Sequence, residues 1–67
     1  MQWKYPQEHS LTPDEQLWGA ALAILRIHGD GARMHVVERL GTLALDGDLE
    51  GVAVWQGIAA RLEELIQ

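Results

Sequence analysis

The chain contains no cysteine, so neither a disulfide nor a thiolate metal site can hold it together, and a secreted disulfide framework is excluded. Phenylalanine is absent and proline occurs only at Pro6 and Pro13. Long apolar runs are missing as well. The longest, Leu17 to Leu25, includes Gly19 and is far too short to span a bilayer. The opening Met1-Gln-Trp-Lys-Tyr-Pro6 has no apolar stretch of the signal-peptide kind. Basic residues are scarce, five Lys and Arg against ten Asp and Glu, and the net charge of −5 disfavours a phosphate-binding footprint. Side-chain hydroxyls are few: Tyr5, Ser10, Thr12 and Thr42. These absences lead us to expect a cytoplasmic protein with no membrane segment and no nucleic-acid partner.

Sixty-seven residues make one small domain. Burying about 60% of the unfolded surface, at about 25 cal/mol per Å² of apolar area, yields roughly 100 kcal/mol. Ordering the chain costs a similar amount, at about 1.5 kcal/mol per residue. A fold balanced this closely is marginal alone and gains from any further burial.

What is present is helical. Thr12-Pro13-Asp14-Glu15 has the form of a capping box: Thr12 caps the Glu15 amide, Glu15 reaches back, and Pro13 takes the first helical position. Leu17, Trp18, Ala21, Ile24, Leu25 and His28 follow at helical spacing, and Gly29 is a natural stop. Asp30 is expected to cap a second helix, whose apolar face is Val36, Val37, Leu40, Leu43 and Ala44. Gly47 ends it, and Asp48 caps a third helix with Val52, Trp55, Ile58, Ala59, Leu62, Leu65 and Ile66 on one face. No segment alternates with the period of a strand. The expected fold is all-α: a small three-helix bundle with helices at about 13–28, 31–46 and 49–66. Residues 1–11 form an N-terminal arm, partly flexible, whose Trp3 and Tyr5 are candidates for folding back, and 12–67 form the helical domain. Connections this short place consecutive helices side by side and roughly antiparallel.

The stretches His28-Gly29-Asp30-Gly31-Ala32, Glu38-Arg39 to Leu43-Ala44, Gly47-Asp48, Gly51-Val52 to Trp55, and Ile58-Ala59 to Arg61-Leu62 form a longer pattern. It resembles a family of short bacterial proteins marked by H-G-x-x-A, E-R-x-x-x-L-A-x-x-G-D-x-x-G-V-x-x-W and I-A-x-R-L. The likeness covers about residues 12–65 and implies a small helical fold. It carries no assigned activity, so it transfers no functional residue. A weaker similarity to tetratricopeptide repeats fails in spacing. Leu40 to Gly47 is one residue short, and Val52 and Gln56 stand where a small residue and an aromatic belong.

Chemical constellations are thin. Asp46, Asp48 and Glu50, with Gly51, open like a calcium loop, but its twelfth position is Gly57 rather than a bidentate glutamate. His9, His28 and His35 lack the i, i+4 spacing of a helical zinc site, and His35 is expected in solvent near Glu38. Ser10 beside His9 has nothing to hold a catalytic geometry. We therefore expect no enzyme activity, no catalytic residue, no metal site and no cofactor.

The glycines are more informative. Gly19, Gly41 and Gly57 fall inside helices, where each costs about 1 kcal/mol relative to alanine. A missing Cβ allows close approach. Ala53, Gly57 and Ala60 form a smooth strip, expected on the side away from the core, as either a docking groove for another chain or an exposed face that tolerates small residues. Met34, Gly41 and Leu45, with Trp18, offer a second surface. The wide apolar arc of the second helix fits either a position sandwiched between helices one and three or a dimer. The expected function is a small acidic, non-catalytic protein–protein interaction module that self-associates as a homodimer. One alternative is an acidic inhibitor or nucleic-acid mimic blocking a basic site on a larger protein through Asp46, Asp48 and Glu50. Another is a helix-turn-helix DNA binder, which the net charge disfavours.

Overall fold

The structure is a computed structural model and describes residues 12–67. The expectations placed on the N-terminal arm, including Trp3 and Tyr5, lie outside the described residues. Over the described residues the chain is all-helical. Helix α1 is Pro13–His28, a single 3₁₀ turn covers Gly29–Gly31, α2 is Ala32–Leu45 and α3 is Leu49–Ile66.

The start of α1 follows from its first four residues. Thr12 Oγ1 accepts the Glu15 amide at 3.1 Å, and the Thr12 amide donates to Glu15 Oε1 at 2.9 Å, so two helix-end donors are satisfied reciprocally. Gly29 takes a φ of +53°, as expected of the stop residue.

The junction with α2 differs from expectation. Asp30 does not cap α2: it lies within the 3₁₀ turn, and no side chain caps that helix. The Ala32 amide instead donates to the Gly29 carbonyl, so backbone bonds carry the helix through the turn. With no loop between them, α1 and α2 form one helical run bent at Gly29–Gly31, rather than two helices with separate caps.

The end of α2 is built by backbone geometry. Gly47 has a φ of +74°, its amide donates to the Ala44 carbonyl, and the Asp48 amide donates to the Leu43 carbonyl. This pair of bonds is a Schellman motif, which requires the left-handed residue that glycine supplies. Asp48 Oδ1 then accepts the Gly51 amide at 2.9 Å and starts α3, as expected.

Packing places α3 in the middle. It lies against both α1 and α2, while α1 and α2 meet less extensively. Arg33 meets Glu63, and Leu43 lies beside Gly51, so α2 runs antiparallel to α3. Leu17 lies on Gly57, and Leu25 lines a cavity with Leu65 and Ile66, so α1 advances in the same sense as α3. The second helix is therefore not sandwiched between the other two; α3 holds that position.

The core is small. Its buried residues are Ala21, Ile24, Ala32, Val36, Ile58 and Leu62, with Leu17, Leu25, Leu40, Trp55 and Ile66 among the half-buried side chains packed around them. Leu62 is the one large side chain excluded fully from solvent among the described residues. Two ion pairs clamp α3 from either side. Arg33 grips Glu63 through two bonds of 2.6 and 2.9 Å, and Arg61 donates to Asp14 at 2.5 Å.

Candidate interaction surface

Each expected surface residue now has a position. Met34 is 59% exposed and Leu45 91% exposed, and Gly41 faces open space with no heavy atom near a Cβ built on it. Val37, expected in the core face of the second helix, is 60% exposed instead. Ala44, expected beside it, is also exposed. Around α2, at about 100° per residue, Leu40, Ala44, Val37, Gly41, Met34 and Leu45 follow one another through nearly half a turn. Arg33 alone interrupts this arc, and its charge is met by Glu63.

The arc begins at a groove between α2 and α3. Val36, Val37 and Leu40 form one wall, Ala59 and Leu62 the other, and the Arg33–Glu63 pair closes one end around a cavity of about 140 Å³. Ala53 and Ala60 are exposed on α3, about 100° or more around the helix from Ala59, and Leu49 is 77% exposed at its start. None of Met34, Gly41, Leu45, Ala53 and Ala60 lines this groove; the surfaces read from the sequence lie on α2 and α3 beyond its walls.

Gly57 does not belong with them. It points toward α1, and a Cβ there would lie 3.0 Å from Leu17 Cδ1 and 3.4 Å from Cδ2. The expected position away from the core is therefore wrong, because the close approach at Gly57 is made by the chain's own first helix. Trp18 also lies elsewhere, over the α1/α3 seam, with the Arg61 guanidinium 6.0 Å above its ring. The Arg61 side chain links this seam once more, to Asp14, and also donates to the Gly57 carbonyl within α3.

His35 departs from expectation in the same way. It is half-buried, stacked on His28 with centroids 4.0 Å apart, and it meets the Trp55 ring edge-on at 5.8 Å. Arg39 covers Trp55 at 5.7 Å. The rings bridge the bend and tie it to α3. They meet through ring faces and edges. Among the described residues no group of three or more His, Asp or Glu side chains is placed to hold a metal ion.

The acidic residues are distributed by local tasks. Asp14 and Glu63 pair with arginines, Glu15 serves the α1 cap and Asp48 the α3 cap. The Arg33 guanidinium, by hydrogen bond and charge, holds the Glu63 carboxyl below its ordinary range, and Glu63 in turn raises Arg33. Of the Asp46, Asp48 and Glu50 group, Asp48 is thus committed to the Gly51 amide.

A family model described as a family of unknown function, DUF6961, matches residues 13–67. The chain belongs to this family. No curated protein and no solved structure matches it. The DUF6961 match spans α1, the bend, α2 and α3. Among the described residues no helix is long and apolar enough to cross a membrane.

Two residues of this DUF6961 chain carry roles that pattern reading missed. A Cβ on Gly51 would lie 2.6 Å from Asp48 Oδ2 and 3.1 Å from Leu43 Cδ2, so glycine there lets the cap and the α2/α3 contact coexist. The signal was available in Asp48-x-x-Gly51, where the capped amide belongs to the glycine itself. Val37 was missed because periodicity gives the width of an apolar arc and not which part of it a neighbour covers.

Proposed function

We propose that this chain is a three-helix, non-catalytic protein–protein interaction module that docks through the α2/α3 face and self-associates. One observation carries the reading: the apolar half of α2, including Met34, Val37 and Leu45, is left uncovered by the chain's own helices. Side chains of this size each gain about 1.5–3 kcal/mol when fully buried. That gain is large for a fold whose opposing terms nearly cancel. Binding at this face stabilises the folded state by mass action. The lack of cysteine is in keeping with a cytoplasmic setting.

Light scattering and thermal melting of the full chain over a micromolar concentration series test the proposal. A mass that rises toward twice 7.5 kDa and a melting temperature that rises with concentration are expected. A monomer whose melting is independent of concentration would contradict it.

A further inference from the structure

The α2/α3 face has features that select its occupant. It carries no unpaired charge along the apolar arc of α2, since Arg33 is held by Glu63. A partner of opposite charge would therefore find little to recognise there, although the chain as a whole carries −5. Recognition must come from apolar shape. Gly41 sits midway between Val37 and Leu45, with open space where its side chain would be. Met34, one turn before Val37, is exposed, and Leu49 is exposed beyond the turn, at the start of α3. Val37 and Leu45 therefore flank Gly41 symmetrically on α2.

We infer that the occupant is a second copy of this chain, docked with its α2 antiparallel to the first about a two-fold axis that passes beside Gly41. This rests on the reading of the chain as self-associating and specifies how it does so. The axis brings the two Gly41 backbones together at the crossing, where the absence of both Cβ atoms permits the closest approach. Val37 then meets Leu45 of the second copy and Leu45 meets its Val37, an isologous arrangement in which each contact occurs twice. Met34 reaches the exposed Leu49 at the start of the second copy's α3.

Glu38 borders the arc and lies on the same flank as Glu38 of the second copy. The two Glu38 carboxylates are offset by roughly 9 Å along the axis at 1.5 Å per residue. That offset is close to the screening length of about 8 Å at physiological salt, so their repulsion is weak. Burying this face on both copies removes on the order of 1,200 Å² from water, the lower edge of stable specific interfaces. A reversible micromolar dimer fits an interface of that size.

The cysteine-free chain makes a direct test available. Gly41→Cys places thiols beside the axis, where two copies of one residue lie within disulfide range. Val37→Cys combined with Leu45→Cys places two thiols per chain about 12 Å apart along one helix, too far to join within the chain but adjacent between copies. Ala23→Cys, on the exposed side of α1, is the control for random collision.

Under mild oxidation at a concentration where the unmodified chain is dimeric by sedimentation, we expect several-fold more linked dimer from either test variant than from Ala23→Cys. The double variant keeps the test decisive if the Gly41→Cys side chain itself hinders docking. An unmodified chain that is dimeric, with both test variants linking no more than Ala23→Cys, overturns this arrangement while leaving self-association intact. An unmodified chain that stays monomeric overturns both.

Discussion

Replacing Gly19 and Gly57 one at a time with alanine separates a glycine that only tolerates its position from one that a neighbour requires. Both lie inside helices, and helix propensity alone favours each replacement by about 1 kcal/mol. At Gly19 nothing lies within 4 Å of the new methyl group, so the full gain is expected. For a domain of this size a change of about 1 kcal/mol moves the melting temperature by about 4–8 °C, upward here. At Gly57 the methyl would lie 3.0 Å from Leu17 Cδ1, so Leu17 must shift on a seam that Asp14 and Arg61 also hold. Overpacking of this kind costs about 1–3 kcal/mol, which cancels or exceeds the propensity gain. The melting temperature of Gly57→Ala is therefore expected to equal or fall below that of the unmodified chain. The assay is thermal unfolding followed by far-ultraviolet circular dichroism, at one low concentration so that association does not contribute. If Gly57→Ala rose as far as Gly19→Ala, α1 would not press tightly on α3 through Leu17.

Three further outcomes follow from the same contacts. Leu62→Ala removes the one large fully buried side chain among the described residues and is expected to cost about 2–5 kcal/mol, enough to leave the chain largely unfolded by circular dichroism at 25 °C. Asp48→Ala leaves the Gly51 amide without its acceptor and is expected to cost about 1 kcal/mol, read as a lower urea midpoint with an unchanged slope. The Glu63 carboxyl is held low by Arg33, so its contribution is present above the ordinary carboxylate range and is lost as pH falls through its depressed value. The raised Arg33 group keeps its proton at every working pH. Acid titration of the melting temperature should therefore fall more steeply for the unmodified chain than for Glu63→Gln, and parallel curves would show that the pair contributes nothing.

Local rules made much of the fold legible, and tertiary relations made up most of what was not. The capping box of Thr12 and Glu15 and the cap of Asp48 on Gly51 depend on residues three apart, so the spacing predicted them. Gly47 was readable as a stop because the Schellman motif needs a left-handed residue. Asp30 looked equally like a cap, yet Gly29 and Ala32 closed a backbone bond that made it unnecessary.

The order of packing was not readable, because short connections are compatible with more than one helix in the middle. That single unknown explains several misplacements. With α1 approaching α3 from the Gly57 side, the small residue became an internal contact. With α2 on an outer flank, Val37 became exposed. The α2/α3 hairpin and the bend likewise brought His35 onto His28 and Trp55, contacts that spacing along one helix does not encode. The candidate surface was legible as two sets of residues, Met34, Gly41 and Leu45 on α2 and Ala53 and Ala60 on α3. The groove between α2 and α3, lined by Val36, Val37, Leu40, Ala59 and Leu62, needed the antiparallel α2/α3 pairing to be seen.

The most direct test is sedimentation equilibrium on the full chain beside Met34→Glu and Leu45→Glu, two solvent-facing changes that leave the buried core untouched. The unmodified chain should fit a monomer–dimer equilibrium in the micromolar range, and each glutamate should shift it to monomer without lowering helix content. If all three sedimented as the same species, whether monomer or dimer, the α2 face would not be the contact.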